Sequence, residues 1–391
     1  MGERLYGLDW LRIGAFGLLI LYHVAMVFAT WDFHIKSPVL WPAIEGPMLA
    51  LNPWRLNLLF LVSGVASAFL LTRTTPGRFA WSRTVRLLVP LAVGMILIVP
   101  PQPWVELVVK HGYARDYLSF WAQDYFRLGT LHGVALPTWN HLWFVAYLWV
   151  YSLLLALAAA LIPAGASVAL VARGERLLRG PRLLLVPVLM FWLLRLTLYP
   201  RFGETHGLIN DWYNHAAYGL TFAGGLLLAR SSALRDTARA LRRPALLLAV
   251  AGYIGYLFYY VSHPEGGPEP TVLASSAGRL ARTAQSWGAI VALLGFALAW
   301  NPGDSAARRY LTEAVFPWYI AHQTLIVLAA FWLRPFGLGN GVLFAALVAI
   351  TAGGCALFFE MVRRSGPLRS LFGLRSKPLK THGQSQPVAP I

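Results

Sequence analysis

Apolar runs of about 20 residues, separated by short polar stretches, follow one another along this chain. A helix of that length crosses the roughly 30 Å hydrocarbon core of a bilayer. Ten such runs are read, at 13–31, 50–71, 85–101, 142–162, 182–199, 213–229, 244–262, 284–300, 312–333 and 339–360. None alternates with the two-residue period of a membrane β-barrel. The expected fold class is therefore all-α, a polytopic membrane bundle of about ten transmembrane helices. The bundle is expected over residues 1–375. Residues 376–391, with the polar Gln384-Ser-Gln-Pro-Val-Ala-Pro390, read as a disordered cytoplasmic tail. The longest polar interval, 102–141, is rich in aromatics, among them Trp104, Tyr113, Tyr117, Trp121 and Tyr125. Short helices lying on the outer surface are expected there. Its rings fit either an interfacial belt or a platform for sugar rings.

Composition sharpens this picture. Only 13% of the 391 residues are charged and 57% are hydrophobic, where a soluble domain carries about a quarter charged. The net charge of +17 would point to nucleic acid in a soluble protein. Here the basic residues sit in short loops between apolar runs, so membrane orientation explains them and no nucleic-acid partner is expected. One set of loops and flanks, from Arg4 and Arg12 through Arg173, Arg243, Arg308 and Arg309 to Lys380, holds 23 of the 33 lysines and arginines. That set marks the cytoplasmic side, and both termini are expected there. Histidines partition the other way: His34, His111, His132, His206 and His263 fall in outer loops. Cys355 is the one cysteine, which excludes disulfides within the chain and thiolate metal clusters. No Walker-type phosphate loop and no His-Glu-x-x-His motif occurs. Neither a primary pump nor a metal is expected, and no cleavable signal peptide is expected before so long a first run.

The polar residues inside the runs need a reason. The first run begins Asp9-Trp-Leu-Arg12 and reaches His23 eleven residues later. That spacing is close to three helical turns, which puts Arg12 and His23 on one stripe roughly 16 Å apart. An ionisable group at the depth of His23 is costly unless it faces protein or a wet cavity. A structural histidine bonded to a neighbouring helix and a functional one both fit. Arg55 opens the second run, and Ser63-Gly64 lies within it. The small pair fits a close helix contact or a cavity-lining hydroxyl. His141 and Trp143 open the fourth run from the outer side. Arg195 lies in the outer half of the fifth and should face a carboxylate, with Asp211 in reach, or an anionic ligand. His322 lies near the middle of the ninth. His23, Arg55, His141, Arg195, His215 and His322 thus share the outer half, while Arg12, Arg83 and Arg86 mark the cytoplasmic mouth. Two polar zones joined through a bundle suit a reaction between substrates from opposite sides. Proton-coupled transport would use the same residue types.

Five motifs in order resemble the membrane acyltransferase-3 family. They are Asp9-Trp-Leu-Arg12 with His23, Phe60-Leu-Val-Ser63-Gly64, His141-Leu-Trp-Phe144-Val, Tyr319-Ile-Ala-His322, and Phe359-Glu-Met-Val-Arg-Arg364 followed by Leu368-Arg-Ser-Leu-Phe-Gly373. The last resembles the subgroup named for glucan-biosynthesis protein C. The resemblance covers about residues 10–373. It implies a ten-helix bundle in the cytoplasmic (inner) membrane of a bacterium; some members carry a fused soluble domain, and here the bundle is expected to serve alone. It implies transfer of an acyl group, acetyl or succinyl, from acyl-coenzyme A to a hydroxyl of an exported carbohydrate or glycolipid. Acyl-coenzyme A is then a co-substrate, with no permanently bound cofactor.

Such chemistry needs a base for the attacking hydroxyl and help for the developing oxyanion. On this reading His23 is the catalytic base, and Arg12 holds donor phosphates or orients the first helix beside Asp9. Arg83 and Arg86 meet the coenzyme phosphates. Ser63 and His322 line the cavity, His141 and Trp143 face the acceptor, and Asp9, Arg55 and Arg195 are further substrate-binding candidates. An acyl-histidine intermediate also fits. The alternative of a different class is a transporter or flippase of a lipid-linked or acylated saccharide, for which inverted repeats are expected and none is seen.

Overall fold

The computed structural model describes residues 6–264, 266–300 and 302–374, so the tail expected at 376–391 lies outside the described residues. The helices are α1 (Tyr6–Met26), α2 (Glu45–Leu71), α3 (Pro76–Val93), α4 (Pro101–His111), α5 (Trp143–Leu161), α6 (Ala164–Leu177) and α7 (Arg182–Thr197). They continue as α8 (Trp212–Arg230), α9 (Ser232–Ser262), α10 (Val272–Ala299), α11 (Ala306–Leu333), α12 (Asn340–Arg364) and the short α13 (Gly366–Leu371). Polar residues start several of them. Thr75, Ser231, Thr271 and Ser305 each accept a backbone N–H of the first turn of α3, α9, α10 and α11, satisfying a donor the helix leaves open.

Each of the ten expected runs falls on a long helix. Among the described residues, eight helical segments are long and apolar enough to cross a membrane by length and composition alone, and the chain is an all-α polytopic membrane protein. α8 and α10 lie outside those eight. They carry buried polar residues within the bundle, Asn214 and Thr221 on α8 and Thr283 and Gln285 on α10. α1 ends at Met26, five residues before the apolar run does. Lys36 Nζ donates to the carbonyls of Met26 (2.5 Å) and Trp31 (2.8 Å). Glu45 accepts from the Thr30 N–H at 2.7 Å. Val27, Phe28, Ala29 and Ile35 are buried by protein in this folded loop, so their apolar character reflects packing and not extra membrane span.

Small residues set the helix spacing. On α9, Ala238, Ala245 and Gly252 recur every seven residues and face Ala281, Gly288 and Gly295 of α10, which also recur every seven. A Cβ added at Gly295 would stand 2.3 Å from the Ala238 carbonyl oxygen. A seven-residue repeat of small side chains lets two antiparallel helices run in close contact. The long interval folds as a cap. α4 is followed by a π-helical turn at Phe120–Asp124 and a hairpin of β1 (Gly129–Leu131) and β2 (Val134–Leu136), in which Gly129 faces Leu136. Its turn residues His132 and Gly133 are both at positive φ, the geometry of tight hairpins.

The cap is tied to α3 through a second π-helical turn, Gly94–Ile98. Pro100 and Pro101 follow it and cannot donate backbone N–H groups, so carbonyls before them need other partners. Trp121 Nε1 donates to Ile96 O (2.9 Å), the Tyr125 hydroxyl to Met95 O (2.8 Å) and Thr324 Oγ1 to Ile98 O (2.7 Å). This places the cap directly over α11.

Candidate active site

The α1 stripe joins two cavities. Arg12, Phe16, Leu19 and His23 follow at steps of four, three and four residues, so they share one face. Arg12 and Phe16 line a cavity of about 560 Å³ at the arginine-rich end of the bundle. Leu19 and His23 line one of about 450 Å³ beneath the cap. Phe144 walls both. The edge-on packing of Phe16 and Phe144 against Tyr319, at 5.7 and 5.9 Å between centroids, forms the partition.

The arginine-rich cavity holds five arginines and one glutamate among the described residues. Arg308 is tied up by an ion pair to Asp9 and by Asp304, with 2.6 Å from Nη2 to Oδ1. Arg309 pairs with Asp304 at 2.8 Å, and Glu313 with Arg369 at 2.8 Å. Arg12 and Arg83 meet neutral partners. Arg12 Nη2 donates to Thr312 O (3.1 Å), and its Nε has no partner among the described residues. Arg83 Nε donates to Ser152 Oγ (3.1 Å). Arg86 Nη2 donates to Gly373 O at 3.5 Å. The walls between are apolar: Leu59, Val62, Leu87, Leu148 and Phe316. Cationic side chains over an apolar throat suit a phosphorylated head with a long arm.

In the opposite cavity the histidine tautomers follow from their partners. His322 is fully buried, with Nδ1 2.7 Å from the Tyr319 carbonyl oxygen. A carbonyl only accepts, so Nδ1 carries the proton and the Nε2 of a neutral ring is bare. That Nε2 lies 3.0 Å from His23 Nδ1, which therefore donates. His23 Nε2 is left as a lone pair with no protein partner among the described residues, on a residue that lines the cavity. A base held in one tautomer by a second group is the arrangement by which hydroxyl nucleophiles are activated.

His141 differs. Its Nε2 donates to Ile320 O (3.1 Å), its Nδ1 accepts from Gln102 Nε2 (3.4 Å), and Tyr319 donates its hydroxyl to the His141 carbonyl. Both ring nitrogens are spent, so His141 shapes the cavity wall. Gln102 also bonds Thr324 (2.7 Å), Asn140 (3.0 Å) and Gln323 (3.0 Å), and Gln323 reaches His34 (3.2 Å). Trp143 stacks on His206 at 4.3 Å. His206 is held by Asp211, a fully buried carboxylate that accepts from the His206 N–H (2.9 Å), the Tyr147 hydroxyl (2.6 Å) and Asn214 Nδ2 (2.9 Å).

Asp211 is thus not the partner of Arg195. That partner is Glu204, 3.3 Å away, together with the Tyr213 hydroxyl at 2.6 Å. Desolvation pulls the Glu204 carboxyl up, but the charges of Arg195 and Arg282 outweigh it and hold it below its ordinary value. Arg195 lines a third space of about 210 Å³, a side chamber that shares Tyr22, Arg55, Leu56 and His206 with the histidine cavity.

The structure therefore brings His23, His322, His141, Trp143 and Arg55 together around one cavity, although His322 reaches it through His23. It brings Arg12, Ser63, Arg83 and Arg86 around another. Asp9 stands behind Arg308, Arg195 stands in the side chamber, and His215 is locked by Leu208 O and the Tyr151 hydroxyl. Ser63 and Gly64 divide the two roles read for them. Ser63 lines a cavity, while Gly64 lies against Phe222 of α8, where a Cβ would meet its carbonyl oxygen at 2.1 Å. Sequence reasoning missed Arg282, Arg308 and Glu204 as site residues. Arg308 was counted only as a loop charge, and Glu204 shows its role only through the fold.

The bundle thus holds two polar cavities on one helical stripe, with a histidine fixed in one tautomer on the wall of the second. The family profile described as an acyltransferase domain matches residues 5–360, and the chain belongs to that acyltransferase-3 family. It is an acyltransferase, of groups other than aminoacyl. No curated protein and no solved structure matches the chain.

Proposed function

We infer that the enzyme moves a short acyl group from cytoplasmic acyl-coenzyme A to a hydroxyl of an extracytoplasmic carbohydrate or glycolipid. The observation that carries this reading is the free Nε2 of His23, fixed by His322 in one cavity, on the same helical stripe as Arg12 in the other. Coenzyme A phosphates would meet Arg12, Arg83 and Arg86, and the thioester arm would pass Ser63 and Phe144. His23 Nε2 would take the proton of the acceptor hydroxyl as its oxygen attacks the thioester carbonyl. When the carbon–sulfur bond breaks, the thiolate leaves and the imidazolium returns the proton to it. Trp143, on the wall of the histidine cavity and braced by the stacked His206, would meet the acceptor.

The glucan-biosynthesis-like subgroup is our reading of the last motif. Its Gly373 has φ +73°, and a Cβ there would stand 2.6 Å from the Phe316 ring. The glycine lets the chain turn beneath Arg86 at the cavity wall. A bacterial cytoplasmic membrane location rests on the same reading.

Purified His23→Ala and Arg12→Ala proteins test the mechanism. Loss of a general base costs about 10²–10⁴-fold in turnover, so His23→Ala should fall by that much while binding coenzyme A as the wild type does. Arg12→Ala should weaken coenzyme A binding about 10- to 100-fold, the worth of a hydrogen bond to a charged group. Near wild-type turnover in His23→Ala would sink the reading.

A further inference from the structure

The side chamber carries more positive charge than the fold around it neutralises. Arg55, Arg195 and Arg282 line it, and Glu204 is the one carboxylate among the described lining residues. Two charges therefore remain. Arg55 is 5% exposed, and its Nε and Nη1 have no partner among the described residues. Each guanidinium is set against tyrosine rings: Arg55 over Tyr22 at 3.2 Å, Arg195 over Tyr199 at 4.5 Å and Arg282 over Tyr256 at 5.2 Å. A ring face orients a cation and attracts it, but supplies no counter-charge. Buried unpaired cations are expensive, and within a bilayer they mark ligand sites.

The chamber is also placed for a substrate. Tyr22 precedes His23, and Tyr22, Arg55, Leu56 and His206 wall both spaces. At about 210 Å³ it is less than half the volume of the histidine cavity, at about 450 Å³, and has room for a short substituent.

We propose that the side chamber is a subsite for an anionic substituent, a carboxylate or phosphate, carried by one of the two substrates beside His23. This rests on the acyl-transfer reading. The anion can belong to the far end of the acyl group or to the acceptor, and the chemistry that recognises it is the same: guanidinium forks held by aromatic faces.

Binding to the purified full chain in detergent decides it, with succinyl-coenzyme A against butyryl-coenzyme A and glucuronate against glucose as probes. Each pair differs chiefly by a carboxylate. The wild type should favour the carboxylate member of one pair by about tenfold or more. R282Q and R195Q should bring that preference close to parity, and Arg282→Lys should keep part of it. Succinyl preference assigns the anion to the donor, and glucuronate preference to the acceptor. Parity of both pairs in the wild type, or a preference untouched in both glutamine variants, overturns the subsite. Binding of coenzyme A alone is read in the same samples. If R282Q loses it through misfolding, R195Q and the wild-type comparison decide. A wild type that binds no coenzyme A overturns the donor reading instead, and the glucuronate pair still judges the chamber.

Discussion

His322 illustrates how much one buried side chain settles at this site. Its Nδ1–H is committed to the Tyr319 carbonyl, so it cannot pass a proton onward, and its Nε2 can only hold His23. On the proposed mechanism it is a positioning residue. His322→Ala should lower kcat by an amount between about tenfold and the 10²–10⁴-fold of losing the base itself, with KM for acyl donor near the wild-type value. His322→Gln offers a carbonyl oxygen to His23 Nδ1 and should recover part of kcat. A purely structural role would instead lower yield and thermal stability in both variants and leave kcat per folded molecule intact. The stripe of Arg12 and His23 was legible in the sequence because helical spacing fixes it. The tautomer was not, because it depends on a carbonyl of α11, 296 residues beyond His23. Arg195 shows the same boundary. Burial of a cation said that it needs a partner, but only the fold of the 203–211 loop turns Asp211 towards backbone amides and Tyr147, leaving Glu204 for the arginine.

At the scale of elements, the cavities depend on how closely helices approach. α2 and α8 touch through reciprocal glycines. A Cβ at Gly225 would stand 2.0 Å from Leu61 O, and one at Gly64 would stand 2.1 Å from Phe222 O. The obstacle in both cases is backbone, which cannot rotate away as a side chain can. Gly225→Ala should therefore separate the two helices and cost about 1–3 kcal/mol or more. Its neighbour is the control, since a Cβ at Gly224 meets nothing within 4 Å. Gly224→Ala should be neutral or stabilising by up to about 1 kcal/mol, through helix propensity. Thermal unfolding in detergent compares them, and equal Tm values would refute the close contact. The helices themselves were readable from hydropathy. The end of α1 was not, because Val27, Phe28 and Ala29 are apolar for contact with protein, and hydropathy cannot tell protein from lipid as the burying partner.

For the whole molecule, the account turns on which end faces the cytoplasm. Arginines gather at the end that holds the cavity of Arg12, Arg83 and Arg86, and the capped histidine cavity lies at the other. The charge bias that orients a bundle and the charges that would hold coenzyme A phosphates are in part the same residues, which is why Arg308 and Arg309 passed as loop charges in the sequence. If orientation follows the arginines, the cavity proposed for the donor opens to the cytoplasm, where acyl-coenzyme A is made, and the one proposed for the acceptor opens outward. Cys355 is buried and is the one native thiol, so a Cys355→Ala background gives clean labelling. Cysteines at Leu128, which is 91% exposed, and at exposed Pro268 belong to the capped end. Cysteines at exposed Gly77 and Ala233 belong to the arginine-rich end. In intact cells a membrane-impermeant maleimide should label the first two at once and the second two only after permeabilisation. The opposite pattern would place the arginine-lined cavity outside, away from any acyl-coenzyme A, and the proposed direction of transfer would fail with it.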